Sequence, residues 1–243
     1  MRPVIRSRIQ SAEGMPNAVV EFDEDMEFLS SALLNGGSRL SRSVMIMQVP
    51  KDHMCSEPKK EVVSRLKALG LPSDTVSFMT AAEVDYVFTE SYASYEGAEM
   101  AAVVTAGLSN QVVAGEILEN WEERHALSNE RSKALRPGTI NIIVVSSKPL
   151  TEVGKVNAII TATEAKTAAL NYLGYKETGT TSDAVAIVSP AGENGIDFTG
   201  TGTSIGIATA RAVKKAVATA LMRRDDFPVG CTDKKKEKLR EGI

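Results

Sequence analysis

The chain has 243 residues, 43% of them apolar and 24% charged, with a formal net charge of −3. This is the composition of a globular protein long enough to bury a core. The negative balance gives a polyanion such as nucleic acid no general attraction. No run reaches the roughly 18 to 20 apolar residues that span a bilayer.

The first residues, "MRPVIRSRIQSAEGMPN", lack the apolar middle of a secretory signal. Cys55 and Cys231 are too few and too distant for a disulfide framework, so a reducing cytoplasm is the expected location. With aromatics at 5%, a large pocket would be walled by aliphatic side chains, alanine and glycine.

Residues 1–23 show no sustained period and read as a strand pair or a loose arm. "EDMEFLSSALLNGG" predicts a helix from Asp25 to Leu34, with Met26, Leu29 and Leu33 on one face. Asn35, Gly36 and Gly37 would stop it, because they tolerate left-handed backbone. Ser43–Pro50 is a strand candidate. "SEPKKEVVSRLKALG" is a helix capped by Ser56 or Glu57, with Pro58 in its first turn and Gly70 at its end. Three β-like runs follow, Thr75–Ala82, Val84–Tyr92 and Glu99–Leu108, close enough to pair antiparallel. Val113–Leu127 reads as a polar-faced helix. Pro137-Gly138 turns the chain into Thr139–Ser147, a buried strand.

A long helical pattern runs from Thr151 to Leu173 and ends at Gly174. Asp183–Pro190 is another buried strand, "AGENGIDFTGTGTSIG" a loop, and Ser204–Met222 the last helix. The charged tail beyond Met222 has little to bury and reads as a solvated terminus. The expected fold is α/β, with mixed α+β as the variant: a layered mixed β-sheet covered by helices, in a single domain. Its divisions would be an arm or strand pair over 1–23, the domain proper over 24–222 and the tail over 223–243.

Few side chains offer metal or triad chemistry. His53 and Cys55 are neighbours, but His125 is remote, and neither H-E-x-x-H nor paired C-x-x-C occurs. Surface or structural roles are expected for them, and no metal site. No G-x-S-x-G elbow supports a serine triad. The loop Phe198–Gly206 opens a helix, and its glycines, Gly200 and Gly202 among them, let backbone N–H groups approach an anion or a carbonyl. It is not a phosphate-binding P-loop, since no lysine follows, and it also fits a plain capped turn. "ETGTTSDAV" (Glu177–Val185) and "RPGTINIIV" likewise place small polar residues just before buried strands. Each alone is turn chemistry. Three such patches suggest one polar cleft at strand ends.

"TATEAKTAAL" (Thr161–Leu170) admits two readings. Thr161 and Glu164 have capping-box spacing, which requires a helix to restart at Thr161. If the helix instead runs through, Glu164 and Lys166 diverge by about 200° and cannot pair. Ala165, Ala168, Ala169 and Tyr172 then form its packed side.

In order, "LSSALLNGG", "LGLPSDTVSFMTAA", "VVTAGLSN", "PGTINIIVV", "TATEAKTAAL" and "TGTTSDAVAIV" resemble the adenosylcobinamide amidohydrolase family of corrinoid salvage, from about Asp25 to Met222. One departure stands out: the family pattern implies T-G-T-G-T-D, where this chain has Thr181 and Ser182 before Asp183. That bears on substrate range. The resemblance implies hydrolysis of the amide that joins aminopropanol to the corrin, giving adenosylcobyric acid. No cofactor is implied, because cobalt and the adenosyl group belong to the substrate, a small corrinoid.

The ring carries several amides of similar reactivity, so orientation must select the one cleaved. Asn35, Gly36, Gly37, Asn110, Thr139, Asn141, Thr180, Gly200 and Gly202 are the candidates for binding. For catalysis, Glu164 or Asp183 would be the general base, and Lys166 or backbone N–H groups near Gly138–Thr139 the oxyanion donors. Thr180, Thr181 or Ser182 as a covalent nucleophile is the competing version. A corrinoid-binding protein without catalysis and an amidohydrolase for another amide are the alternative functions. No nucleic-acid or membrane partner is expected, and the oligomeric state is left open.

Overall fold

The computed structural model describes residues 3–51, 53–108, 110–116 and 138–243. The strands are β1 (Arg6–Ala12), β2 (Met15–Ser30), β3 (Gly37–Gln48), β4 (Val76–Thr80), β5 (Thr89–Tyr95), β6 (Ala98–Thr105), β7 (Gln111–Val112), β8 (Asn141–Ser146), β9 (Gly179–Thr180) and β10 (Ala184–Pro190). The helices are α1 (Pro58–Leu69), α2 (Val84–Val87), α3 (Glu152–Leu173), α4 (Ser204–Arg223) and α5 (Asp233–Glu241).

Eight strands form one mixed sheet in the order β4-β3-β2-β10-β8-β6-β5, with β1 also paired to β2. β8 with β10 and β3 with β4 are parallel, and the other pairs are antiparallel. β7 and β9 make a separate two-stranded ladder.

The sheet is curled, so that its two halves face each other across an apolar interior. Phe22, Phe28, Val44, Phe78, Val103, Ile143 and Val145 meet there. Asn141 on β8 donates to the Met79 carbonyl on β4, 3.3 Å away. Ser7 on β1 donates to Glu90 on β5. The alternate residues Ile142 and Val144 point outward to α3 and α4, as the two-residue strand period requires.

Both covering helices meet the sheet through fully buried alanines: Ala158, Ala162 and Ala169, spaced by four and then seven residues on α3, and Ala208, Ala212, Ala216 and Ala220, at four-residue spacing on α4. Alanine adds little bulk and loses no side-chain entropy, so backbone and sheet approach closely. Two buried lysines anchor α3. Lys155 Nζ lies 2.5 Å from Glu27 Oε2 of β2, and Lys166 is tied down eleven residues later, three turns on and the same face. α1 covers another stretch of the outer face, packing Val62, Leu66 and Leu69 on Val19, Met45 and Met47.

The mixed sheet under helices is as the sequence predicts, and so are α1, the interior strands, α3 and α4. Thr151 caps α3 by accepting from Gly154 N at 3.0 Å, and Gly174 ends it with φ 98°. The predicted helix Asp25–Leu34 is instead the end of β2 and the turn after it. Met26, Phe28 and Ser30 alternate inward, between β3 on one side and β10 on the other. Met26, Leu29 and Leu33 satisfy a helical period only because a short apolar run fits both patterns, and long-range pairing decides.

Val84–Val87 is a single helical turn, started by Val84 N donating to Gln48 Oε1 at 2.7 Å, and the strand begins only at Thr89. Of the helix expected over Val113–Leu127, the part past Glu116 lies outside the described residues, and Val113–Glu116 is a turn. β2 runs unbroken across residues 23 and 24, although its register against β3 shifts between Glu21 and Met26. No described helix is long and apolar enough to cross a membrane.

The tail is more ordered than its composition suggests. No residue of α5 is buried, yet Tyr172 OH donates to Leu239 O at 2.9 Å, and Leu239, Ile243 and Phe227 pack against the core. Asp225 accepts from Lys236 at 2.8 Å and from Arg240 at 2.9 Å. The hydrogen bond from Lys236, then its charge and Arg240, hold the Asp225 carboxyl below its usual 3.8. A lowered carboxyl supports docking above that ordinary value and loses its effect as pH falls through the folded one. Protection factors of the amides over residues 233–243, with exchange rates corrected for their intrinsic pH dependence, are therefore expected to rise from strongly acid to neutral pH, and Asp225→Asn should remove that rise.

Gly206 sits where a β-carbon would fall inside contact with Gly200 O, whereas nothing lies within 4 Å of one at Gly202. Gly206→Ala is expected to cost about 1–3 kcal/mol, the range for overpacking. Gly202→Ala should shift stability by less than about 1 kcal/mol. Urea unfolding of the two variants checks the contrast.

Candidate active site

α3 runs unbroken through Thr161, so the capping box does not form. The Thr161 hydroxyl donates instead to Thr199 O at 3.0 Å. With a continuous helix, Glu164 and Lys166 diverge as the geometry demands. Glu164 is exposed, whereas Lys166 is 8% exposed and turned toward the sheet. Ala165 and Ala169 share the packed side, and Ala168 is exposed.

Lys166 Nζ meets Asp183 Oδ2 at 2.5 Å. The same oxygen accepts Thr180 N at 3.1 Å, while Oδ1 accepts Ile140 N at 3.1 Å and the Thr180 hydroxyl at 2.5 Å. Four donors surround one carboxylate and fill the positions such a group offers. One comes from α3, two from Thr180 of β9 and one from the residue before β8. The carboxylate thereby ties α3, the β9 ladder and the start of β8 to the start of β10.

Gly179 makes this possible, because a β-carbon there would collide with both Asp183 Oδ2 and Lys166 Nζ. Gly138 packs on the Gly107–Leu108 backbone with no room for a side chain, which seats the start of β8 against the segment after β6.

Around the pair lies a polar rim. Thr139 Oγ1 and Ser182 Oγ are 2.7 Å apart, with Thr139 buried and Ser182 exposed. Asn110 Nδ2 donates to Thr181 Oγ1 at 2.7 Å, and Thr181 N returns a bond to Asn110 O at 3.2 Å. Thr167 donates to Thr178 O at 3.2 Å, which fastens the approach to β9 onto α3. Val185 N donates to Ser31 Oγ at 3.1 Å, so the end of β2 closes the same side.

The structure thus gathers Lys166, Thr180, Thr181, Ser182, Asp183, Thr139 and Asn110. Other predicted residues do not join them. Asn141 is 1% exposed and directs its amide to Met79 O and Thr105 Oγ1, so it holds the curled sheet. Asn35 lies in the β2–β3 turn with φ 57°, and its amide donates to Ser73 O and Thr75 O. Gly36 closes against Ala32, and Gly37 has φ 83°.

The expected third patch is not part of this cleft. Thr199 hydrogen-bonds Gly154 and Asn157 in the first half of α3, and Gly200 packs beside Asn157. Asn157 precedes Lys166 by nine residues, roughly 13 Å of helix. Gly200 and Gly202 follow the end of β10, whereas the gathered residues precede the starts of β8 and β10.

Gly138 enters the sequence expectation through its neighbouring backbone N–H groups, whereas Gly179 and Ser31 do not enter it as site residues. Both lie inside motifs that do, and a glycine directly before a Thr-x-x-Asp turn is the signal that points to Gly179.

The chain matches the adenosylcobinamide amidohydrolase family over residues 2–227. The chain belongs to the adenosylcobinamide amidohydrolase family. Its relatives include an adenosylcobinamide amidohydrolase of Methanosarcina mazei, 32% identical over 83% of this chain and 93% of the relative. Another, of Halobacterium salinarum, is 30% identical over 82% of this chain and 81% of its own. An uncharacterised protein of Methanocaldococcus jannaschii is 38% identical over a shorter stretch, 38% of this chain and 39% of its own. The protein is an amidohydrolase, and its substrate is adenosylcobinamide.

For an adenosylcobinamide amidohydrolase, the arrangement offers what amide cleavage needs. It holds a cation, a carboxylate, hydroxyls and backbone donors within one small volume. Gly179→Ala places a methyl group where the cation and carboxylate meet. It is expected to lower adenosylcobinamide hydrolysis by about a hundredfold, the effect of displacing a reacting group by an ångström. Far-UV circular dichroism should stay native, since only the turn and the pair are displaced.

Proposed function

We propose that the Lys166–Asp183 cluster hydrolyses the secondary amide of adenosylcobinamide, giving adenosylcobyric acid and aminopropanol, so that scavenged cobinamide enters cobalamin synthesis. What carries the reading is the convergence of three separate family motifs on one buried ion pair. Of the two carboxylates weighed as base, Glu164 points to solvent and Asp183 lies in the cluster.

All four acceptor positions of Asp183 are occupied, but one donor is a hydroxyl rotor. Thr180 Oγ1 can swing away without moving backbone, and a water can take its place at Oδ1. Asp183 takes a proton from that water as its oxygen attacks the amide carbon. An ammonium carries three protons, and a second proton of Lys166 faces the developing oxyanion. The tetrahedral species then collapses, the C–N bond breaks, and the proton held by Asp183 passes to the departing amine.

The covalent version is less well supported. A serine nucleophile needs a base, and Ser182 Oγ has the hydroxyl of Thr139 beside it, which is not one. Thr139, Ser182, Thr181 and Asn110 instead supply hydrogen bonds that orient the corrin amides, so that only the aminopropanol arm reaches Asp183. No step runs through a resident cofactor, because cobalt and adenosyl belong to the substrate. The reading places the enzyme in the cytoplasm, without nucleic-acid or membrane partners.

Lys166→Met and Asp183→Asn are each expected to lower turnover by about 10² to 10⁴, the range for a general acid–base group. Ser182→Ala should stay within about tenfold of wild type, as a residue that orients rather than attacks. Aminopropanol and adenosylcobyric acid should appear together. A burst of aminopropanol ahead of the acid, or loss of all turnover in Ser182→Ala, would establish the covalent route. Normal turnover in Asp183→Asn would overturn the assignment.

A further inference from the structure

The loop that leaves β3 for α1 brings together three side chains that the amidase chemistry does not use. His53 N closes a turn onto Pro50 O at 3.3 Å. His53, Cys55 and Glu61 then each offer one ligand atom, and all three atoms lie within 4.8 Å of one another. Among the described residues this is the one such group of three. Glu61 comes from the first turn of α1, a partner that the spacing of histidines and cysteines, on which the expectation of no metal site rested, does not reveal.

The bland alternative is a His–Glu ion pair, and the geometry speaks against it as a full account. His53 Nε2 and Glu61 Oε2 are 2.9 Å apart. Both atoms are shielded from solvent. The Cys55 thiol stands beside them, and an ion pair of two groups leaves that third donor unaccounted for.

In a tetrahedral site with bonds of about 2.0–2.3 Å, neighbouring ligand atoms are separated by roughly 3.3–3.7 Å. The cluster reaches such spacing by widening one contact slightly and drawing in Cys55, which is exposed and on a loop. Nitrogen, sulfur and carboxylate oxygen together suit zinc and its tetrahedral mimic cobalt(II), and not magnesium or calcium.

We infer that His53, Cys55 and Glu61 bind a divalent ion of the zinc class at the β3–α1 junction, with water as the fourth ligand. The site shares no residue with the Lys166–Asp183 cluster. The ion would pin the loop to α1 and shield the Cys55 thiol.

The test uses the full chain, reduced, treated with chelator and free of corrinoid, titrated with cobalt(II). One equivalent should raise thiolate-to-metal charge-transfer absorption and the intense visible bands of four-coordinate cobalt, and zinc should displace it. Cys55→Ser should abolish the charge-transfer band, while Cys231→Ser leaves it unchanged. His53→Ala and Glu61→Gln should each weaken binding by at least about tenfold, with native circular dichroism throughout. Saturating zinc should also protect Cys55 from alkylation. No saturable cobalt spectrum, or a spectrum unchanged in the Cys55 and His53 variants, would overturn the inference. The readout needs no turnover, so it stands or falls separately from the amidase assignment.

Discussion

Everything at the site depends on one carboxylate with four donors. Asp183 is 12% exposed at its side chain, and Lys166 is 10% exposed. Removing such charges from water costs several kcal/mol per ion unless the remaining hydrogen-bonding positions are filled. Here they are filled by Lys166, two backbone N–H groups and a threonine hydroxyl. The donors come from α3, from the residue before β8 and from β9, so a local electrostatic requirement becomes a tertiary clamp. The site cannot assemble unless those three elements are already in place around β10.

The architecture makes that placement possible by keeping α3 close and level. Alanines let the helix lie near the sheet, and Lys155 fixes its other end to Glu27. Parallel pairing sets the start of β8 beside that of β10, and the bond from Asn141 to Met79 O ties that end of β8 across the curled sheet to β4. This end of the sheet gathers the beginnings of the parallel strands β8 and β10 with the ends of their antiparallel neighbours β6 and β2. In a wholly parallel sheet, ligands gather beyond the carboxyl ends of the strands. The antiparallel neighbours change that arithmetic, because the loops on either end of a mixed sheet come from both kinds of strand terminus. Gly200, which follows a parallel strand, packs between Asn157 of α3 and Gly206 of α4.

For a corrinoid amidohydrolase, the division of labour follows from chemistry. Peripheral amides of one ring differ little in reactivity, so selection falls to groups that hold the ring. The hydroxyl and amide side chains of the rim suit that task, and the departure from the family pattern falls within it. Thr181 is fastened by Asn110, and Ser182 sits against Thr139. Both hydroxyls are thereby held in place beside Asp183.

Local features were legible from the residues. Thr151 and Gly174 bound α3, Pro58 and Gly70 bound α1, and the buried strands Asn141–Ser146 and Ala184–Pro190 show in their apolar runs, because caps, turns and burial patterns are written within a few positions. The divergence of Glu164 and Lys166 follows equally from helical geometry. Which of them faces inward does not, since that depends on the sheet beneath α3. Asp25–Leu34 carried a helical period that strand pairing overruled. Thr161 met Thr199, 38 positions away, instead of the expected cap. The ordered motifs established the family, and so the reaction, because they record chemistry held in common along the chain. The partner of Lys166, the role of Gly179 and the exclusion of Gly200 were decided only by tertiary structure, where contacts between distant segments determine which polar groups share one volume.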